Sequence, residues 1–592
     1  MHSDIKRFAA AAIALAIEVH GAYAGSATWN LNPANNHWSK AQNWTPVTVP
    51  YGENDVATFG ASNVTDVMLG LTQNGDAGNN LGGIVFGPGA SAYTITMTAV
   101  LGETSYLAFY GAGITNNSGT TQNFIAAKSA ISDSAQIYFL DSASAGENVV
   151  ITNEGAVHDG VSGGSTRFWD SSTAASATII NEGSTASGTI AGGFTALLFY
   201  SSAESATFIN NPGTVSGAAA GYTFVGTSPP GNIGTSTFIN NAAAVPGAEG
   251  GWTEIDGGVS DGATFLAKGA TVADAQGGQV YAFGGDGYST YTAEGGNGTN
   301  AQGGLIDVLY VPASTQTVVT ANSGTNGGLG GTILIEDSAD IPLPQFQVFG
   351  NGVLDLTNVT EAAMAIGSLA GDGIVLLAGH TLGVGNNNLS TTFSGVIQES
   401  GALAKAGTGT LTLTGPNSYI GTTTVSAGMI LASNRSGSAT GTGSVNVNAG
   451  TLGGKGIIQG TVTIGTGAGA GAFLAPSSGS NQPVALTIKK TLTFKADSTY
   501  SYKLNINNAR ADQVISKGVT IESGAQFSFQ SLGNRRLVSG TIFTAISNTS
   551  ANAIAGTFAN LPDGSTFTAG RNNFQVSYSG GDGNDLTLTV VP

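Results

Sequence analysis

A short signature that recurs at nearly constant spacing constrains the fold of this chain more than any other feature. It reads ITNEG at 151–155, IINEG at 179–183, INNPG at 209–213 and INNAA at 239–243. Aligned this way, Asn153, Asn181, Asn211 and Asn241 follow one another at intervals of 28, 30 and 30 residues. A fixed period of about 20 to 50 residues is typical of chains that stack identical units side by side. The repeat therefore predicts a solenoid.

Alternating apolar and polar residues indicate that the stacked units are strands. Threonine and leucine alternate over 410–414, and this period of two fits a half-buried strand and gives no helical stripe. Glycines interrupt the segment 393–431 every few residues and permit close backbone approach and sharp turns. The composition, with 90 glycines and 9% charged residues, is typical of a repetitive all-β chain. At about 25 residues per coil, we expect on the order of 20 coils and a rod of about 100 Å.

The repeated asparagine has two interpretations. Stacked at the inter-strand spacing, each amide can donate to one copy and accept from the other, so that no buried polar group is orphaned. The alternative is a row of exposed amides that binds a ligand. We favour the ladder.

The first residues indicate export. Lys6 and Arg7 precede an apolar run over 8–17, and AYA at 22–24 is a small-x-small cleavage site, so 1–24 is interpreted as a signal peptide rather than a buried first helix. No other apolar run reaches about 18 residues, so no transmembrane helix is expected in the mature chain. The formal charge of -18 disfavours nucleic acid and anionic lipid as partners. The chain has no cysteine, so its stability must come from burial between neighbouring coils.

A tryptophan-rich head follows. Trp29, Trp38 and Trp44 are three of the five tryptophans in the chain. They could form a sugar-stacking platform, or an aromatic cap that covers the open end of the first coil. We favour the cap. Further along, Pro342 and Pro344 are expected to interrupt strand pairing, and residues 361–366 form the one segment that suggests a short helical turn.

Catalytic constellations are weak. Candidate acids on a strand face are Asp133, Asp141, Asp170, Glu254, Asp256, Glu336 and Asp337. Glu254 and Asp256 have the i, i+2 spacing that places two side chains on one face of a strand, as polysaccharide lyases and hydrolases require. With so few basic residues, we interpret these acids as solvated surface carboxylates.

Other motifs also favour a structural interpretation. The GVSGG segment at 160–164 has nucleophile-elbow spacing without a strand-to-helix context. GGDGND at 580–585 resembles a calcium-binding nonapeptide but has no tandem copy, so we expect a turn. His37, His158 and His380 lack neighbouring metal ligands. The sequence therefore predicts no catalytic residue, no metal site and no cofactor.

Residues 393–431 closely resemble the autotransporter-associated β-strand repeat. The resemblance lies in GALAKAGTGTLTL at 401–413, followed by Tyr419, Gly421, Val425 and Gly428. It implies a right-handed parallel β-helix of the passenger type, exported from a Gram-negative bacterium to the cell surface. Such passengers usually precede a translocator barrel of roughly 250 residues, and we expect none within the sequence up to Pro592.

The expected organisation has five parts: signal peptide 1–24, tryptophan-rich head 25–110, degenerate repeats of about 26–30 residues over 111–345, a β-helix over 346–480 that contains the repeat at 393–431, and a β-rich C-terminal stem over 481–592. The function expected is that of a non-catalytic structural or adhesive surface or secreted protein, monomeric, whose partners are glycans or other cell-surface components. The alternative is a carbohydrate-active β-helix enzyme, either a polysaccharide lyase or a hydrolase.

Overall fold

The chain folds as an all-β parallel solenoid of about 18 turns. The computed structural model describes residues 25–70, 78–98, 105–129, 134–227, 231–311, 313–337, 341–469, 471–478, 480 and 482–592. At about 4.8 Å per turn, 18 turns make a rod of about 85 Å. The predicted β-helix is confirmed, whereas the predicted signal peptide lies outside the described residues.

The first sheet runs along one side of the solenoid, with parallel pairing from β1 onward and one antiparallel strand, β2, at its N-terminal edge. Numbered along the chain, its strands are β1 (Ala27–Trp29), β2 (Trp44–Thr45), β3 (Val56–Phe59), β5 (Gly78–Phe86), β7 (Tyr106–Asn116), β9 (Gln136–Phe139), β11 (Ser165–Phe168), β13 (Phe194–Phe199), β15 (Tyr222–Thr227), β18 (Trp252–Ile255), β20 (Gln279–Ala282), β22 (Leu305–Val308), β24 (Thr332–Asp337), β26 (Val353–Val359), β28 (Ile374–Leu376) and β31 (Val396–Gln398).

The second sheet faces the first across the core and forks at its thirteenth strand. Up to this fork, with β16 and β17 pairing with different parts of β19, it contains β4 (Asp66–Leu69), β6 (Thr94–Met97), β8 (Gln122–Ala126), β10 (Val149–Asn153), β12 (Thr178–Asn181), β14 (Thr207–Asn210), β16 (Asn232–Gly234), β17 (Thr237–Asn240), β19 (Val259–Ala267), β21 (Asp286–Ala293), β23 (Val318–Ala321), β25 (Ile341–Val348) and β27 (Ala363–Gly371).

The fork arises because the two ends of β27 pair with different strands. One branch continues through β29 (Thr381–Val384), β32 (Ala402–Lys405), β34 (Thr423–Val425), β36 (Val445–Val447), β39 (Val462–Ile464), β42 (Leu492–Phe494) and β46 (Val519–Ile521). The other contains β30 (Thr391–Phe393), β33 (Thr410–Leu413), β35 (Met429–Ala432), β37 (Gly450–Gly454), β40 (Ala472–Leu474), β43 (Ser498–Asn505), β44 (Arg510–Ala511) and β47 (Gln526–Leu532).

A third sheet ends the described chain. It contains β38 (Ile457–Ile458), β41 (Ala485–Ile488), β45 (Gln513–Ser516), β48 (Ile542–Asn548), β49 (Thr566–Ala569), β50 (Asn572–Gly580) and β51 (Asp585–Val591). Its last strands pair in antiparallel fashion, which ends the parallel stacking. Between β31 and β38 the amide of Asn417 takes the place of a strand: it accepts from the Ile397 N–H over 2.8 Å and donates to the Ala439 carbonyl over 2.6 Å.

Side chains that point into the solenoid stack on their equivalents one turn away. Phe208, Phe238, Phe265 and Tyr291 form a continuous column with ring centroids 4.7 to 4.8 Å apart and planes within 10° of parallel. All four side chains are buried. Because paired strands are in register, a residue type that packs well in one turn packs equally well in the next.

The tryptophans of the head close the N-terminal end of this core. Trp29, Trp38 and Trp44 are at most 1% exposed, and all three rings contact Phe59 at centroid distances of 5.6 to 6.0 Å. Their indole N–H groups donate to backbone carbonyls. A single-turn 3-10 helix, Ala41–Asn43, directly precedes Trp44, whose backbone N–H donates to the Ala41 carbonyl. The rings have no exposed face for a sugar, so the predicted aromatic cap is confirmed.

A buried ladder of asparagine amides links four consecutive turns. The Nδ2 of Asn153 donates to Oδ1 of Asn181, Asn181 donates to Asn210, and Asn210 donates to Asn240, each over 2.7 Å. Each Oδ1 also accepts from a hydroxyl group of the first sheet, in turn Thr166, Thr195, Thr223 and Thr253. All four asparagines are fully buried, so a ligand cannot reach them.

The sequence alignment places the last two members of this ladder one residue too late. Asn210 pairs with Asn181, and Asn240 pairs with Asn210, so the predicted positions Asn211 and Asn241 are wrong. A shift of one residue moves a side chain to the opposite face of a strand. Asn211 and Asn241 accordingly lie outside the core, where the Nδ2 of Asn241 donates to Oδ1 of Asn211.

The region between the two repeat types is more regular than expected. The predicted helical turn over 361–366 is wrong, because residues from Ala363 onward form the nine-residue strand β27. Met364 and Ile366 point inward there and continue the core, and tertiary packing thus overrides local helix propensity. The proline pair lies within β25, where the pairing register shifts between Ile341 and Gln345. Among the described residues, no helix is long and apolar enough to cross a membrane.

Asn181→Ala tests the amide ladder. The substitution removes one acceptor and one donor from a buried chain of hydrogen bonds, and each group left unsatisfied costs about 1 to 3 kcal/mol. We expect a lower thermal unfolding midpoint by circular dichroism. Asn211→Ala is the matched control, because its amide is outside the core and its loss should cost less. Equal effects of the two substitutions would contradict the ladder.

Lys405 is the one lysine buried in the core of the described chain, at 1% exposure. Its Nζ donates to the carbonyls of Ala406 and Gly407. Burial lowers the pKa of Lys405 from 10.5 to about 8. Because the lowered pKa makes protonation costlier in the folded state, stability is lost as the pH falls from about 10 to about 8. We expect Lys405→Met to reduce this dependence of the unfolding midpoint on pH. An unchanged dependence would contradict the effect.

Candidate functional site

The outward side of the first sheet carries a row of aromatic side chains in register. Phe194 of β13 pairs with Tyr222 of β15, which pairs with Trp252 of β18. Each is half-buried, whereas the residue that follows it, a threonine, is buried and faces the core. We call the outward side chains of β9, β11, β13, β15, β18, β20 and β22 the outer face. It follows one side of the rod over about six turns, or about 29 Å.

The rings of this row lie against one another. Phe194 and Tyr222 are stacked with centroids 5.2 Å apart, and Tyr222 and Trp252 with centroids 4.3 Å apart. Tyr281 of β20 then meets Trp252 edge to face at 6.1 Å. Burial raises the pKa of Tyr222 and of Tyr281 to about 12, so both hydroxyls are neutral at physiological pH. The Tyr281 hydroxyl donates to Oε1 of Gln279, and each side chain of the row keeps part of its surface exposed to solvent.

An arginine closes the N-terminal end of the row. The guanidinium carbon of Arg167 lies 5.1 Å from the ring centroid of Phe194 and 5.7 Å from that of Tyr138. Its Nη1 also donates to the hydroxyl of Tyr138 over 3.2 Å and to Oε1 of Gln136 over 3.4 Å. This is a cation held between aromatic faces, an arrangement that stabilises a planar guanidinium especially well.

Carboxylates surround the C-terminal end. Asp307 of β22 pairs with Tyr281 and is 6% exposed, and its Oδ1 has no hydrogen-bond partner among the described residues. Burial raises the pKa of Asp307 from 3.8 to about 7, and the negative charge of Glu336 adds to this shift. Burial is the largest cause of the raised pKa of Tyr281. Negative charges add to the effect, in decreasing order those of Asp307, Glu249, Glu254 and Glu336.

The structure separates the acids that the sequence singled out. Asp141 and Asp170 occupy left-handed turns one coil apart and are exposed. Glu254 lies on the outward side of β18, whereas Asp256 comes after the strand has ended, so the two acids do not share a strand face. Glu336 lies near Tyr281 on β24, with Asp337 after it. Asp133 lies outside the described residues.

Sequence reasoning missed Asp307, the most buried acid of this group. The segment LIDV at 305–308 contains the signal, because an aspartate between two apolar residues breaks the apolar pattern of a strand. The sequence does not show that this aspartate lies beside Tyr281 and Glu336, since these come from neighbouring turns 26 and 29 residues away (307 − 281 and 336 − 307).

The remaining motifs have structural positions. The GGDGND segment forms the turn between β50 and β51, where Gly580 pairs with Asp585 in antiparallel fashion. His37 forms a bridge to Met68 beside the tryptophan cap, and the Nδ1 of His380 lies 2.8 Å from the Glu361 carbonyl oxygen. Within the described ranges, no group of three or more histidine or acidic side chains could hold a metal ion.

Asp307→Asn tests the buried carboxylate. Because the folded pKa is raised, ionisation costs more in the folded state, and stability is lost as the pH rises from about 4 through about 7. Each unit of pKa shift corresponds to about 1.4 kcal/mol. We expect the variant to unfold at a higher temperature than the wild type at pH 8 and to lose this advantage at pH 4. The same difference at both pH values would contradict the assignment.

Comparisons with known proteins connect the solenoid to autotransporter passengers. The family model described as Passenger-associated-transport-repeat matches residues 403–432. A stretch of 116 residues is 40% identical to Adhesin BmaC autotransporter from Brucella suis biovar 1 (strain 1330), covering 20% of this chain. The chain spans about 3% of the length of that relative.

The crystal structure of the Haemophilus influenzae Hap adhesin is also similar, with 11% identity over 91% of this chain and 64% of that one. The TM-score is 0.26, a value at which the likeness carries no argument. The matches to a transport repeat and to an autotransporter indicate an exported, cell-surface or secreted protein. They also confirm the resemblance: residues 403–432 match a passenger-associated transport repeat and form two consecutive turns of the parallel β-solenoid, in which β32 pairs with β34 and β33 with β35.

Proposed function

We propose that this protein is a non-catalytic adhesive surface protein whose solenoid presents the outer face to glycans or other cell-surface components. The observation that carries the proposal is the row Phe194, Tyr222, Trp252 and Tyr281, which lies outside the core and half-exposed over consecutive turns. Aromatic side chains of this kind are enriched where proteins bind partners, because they contribute large contact areas at little entropic cost.

The stiffness of the solenoid supports the same role. Rings on a continuous in-register sheet keep a fixed spacing, so a partner with many contact points can engage several turns at once. A stretch of this chain is 40% identical to part of Adhesin BmaC autotransporter, which favours adhesion over catalysis. We propose further that the chain acts as a monomer, since one rod already offers a repeated surface.

Removing the two central rings tests adhesion. We expect the double variant Tyr222→Ser, Trp252→Ser to lose about tenfold or more in retention on the glycans or coated surfaces that hold the wild-type chain, because central aromatic contacts dominate interface energies. The measurement is retention of the purified chain on a glycan array and on a panel of coated surfaces. The control is Thr207→Ser, Thr237→Ser, which changes outward residues of the second sheet. Equal retention of both variants would contradict the proposed face.

Activity assays on the same preparations separate adhesion from catalysis. We expect no depolymerisation of pectin, alginate or xylan. Depolymerisation that Glu254→Ala abolishes would replace the adhesive proposal with a carbohydrate-active enzyme.

A further inference from the structure

The two ends of the aromatic row differ in charge. At one end the guanidinium of Arg167, a residue of this chain, lies against Phe194 and Tyr138. At the other end the groups that shift the pKa values of Tyr281 and Asp307 by charge are all acidic: Asp307 and Glu336, together with Glu249 and Glu254. Tyr222 lies between these ends: the charge of Arg167 lowers its pKa, and the charge of Glu254 raises it. The row thus runs from a cation supplied by the chain to a site with excess negative charge.

Asp307 shows that the acidic end is incomplete by itself. A buried carboxylate oxygen normally accepts at least one hydrogen bond, and an ionised group without one is strongly destabilising. Oδ1 of Asp307 has no such bond among the described residues, although the residue is 6% exposed and lies in register between Tyr281 and Leu334. A donor from outside the chain would satisfy it.

We propose that the acidic end of the outer face, formed by Trp252, Tyr281, Glu254 and Asp307, binds the guanidinium of an arginine side chain from a partner protein. The opposite end of the row favours arginine as the ligand, because a guanidinium already lies against aromatic rings there and donates to the hydroxyl of Tyr138. The carboxylates provide charge complementarity, and a guanidinium can bond a carboxylate while it stacks on an aromatic ring. This inference rests on the proposed function, since it names a partner chemistry for the same face.

Binding of short peptides to the full chain tests the inference. An acetylated, amidated hexa-arginine peptide is titrated into the protein at pH 8 and low salt, and binding is measured by calorimetry. We expect it to bind about tenfold more tightly than hexalysine, because bidentate, planar recognition distinguishes arginine from lysine. Equal affinity for hexalysine, or tighter binding of a deacetylated chitosan hexamer, would overturn the arginine assignment.

Two matched variants locate the site. Asp307→Asn keeps the shape of the side chain and should weaken hexa-arginine binding about tenfold. Asp355→Asn removes a carboxylate two strands further along the same outward column, where Asp355 accepts from Thr357, and should change the affinity less than about twofold. Equal losses in both variants would indicate attraction by overall charge and would overturn the site. Unfolding midpoints of both variants verify that they fold.

The pH gives an independent measurement. Asp307 must be ionised to bind a guanidinium, and burial together with the negative charge of Glu336 opposes that ionisation. Glu249 and Glu254 are the other carboxylates that act on the adjacent Tyr281, whose raised pKa keeps its hydroxyl neutral. We expect wild-type affinity for hexa-arginine to increase from pH 6 to pH 8 and Asp307→Asn to show a smaller increase. The same increase in both proteins would contradict the role of Asp307. If the chain is retained on surfaces but does not bind hexa-arginine, this inference is overturned and the proposed function remains. If the chain binds hexa-arginine, Asp307→Asn weakens that binding and no surface retains the chain, the proposed function is overturned and the arginine site remains.

Discussion

Hydrogen bonding between residues in register on successive turns is the constraint on which this structure depends. Nearly all of the sheets are parallel and paired strand to strand along the rod, so each inward side chain meets its equivalents above and below. Apolar groups then form columns such as Phe208, Phe238 and Phe265, and polar groups must find their partners in the same columns. The asparagine ladder solves the second problem, because an amide both donates and accepts along one direction.

Outward positions obey no such requirement, and this freedom makes the outer face a place for function. On the inward side of β13, β15 and β18 the residue after each ring is always threonine, Thr195, Thr223 and Thr253, held to the asparagine ladder. On the outward side the row changes from Arg167 through four rings to a group of carboxylates within a few turns. The solenoid thus fixes the spacing of the outer face while leaving its chemistry variable.

Sequence patterns predicted most of the fold because the repeat is expressed directly in the order of residues. The period, the strand alternation and the burial of the tryptophan cap all follow from short-range patterns and the need to close a solenoid end. Two predictions were wrong for physical reasons. Residues 361–366 have local helix propensity that packing against the core overrides, and the asparagine alignment was shifted because two neighbouring asparagines, Asn210 and Asn211, satisfy the same motif. The five-part division of the chain stays a prediction.

The sequence by itself determined that this protein is an acidic, exported all-β solenoid with a passenger-associated repeat from about residue 403. Charge follows from composition, and the repeat and strand patterns are visible in the order of residues along the chain. Only the tertiary structure decided which side chains meet. Arg167, Trp252 and Asp307 come from different turns, and their common face depends on the register of each intervening strand. The number of residues per coil varies from turn to turn, so the sequence does not show which outward residues are aligned. Packing between turns sets that alignment, and with it the change in charge along the outer face.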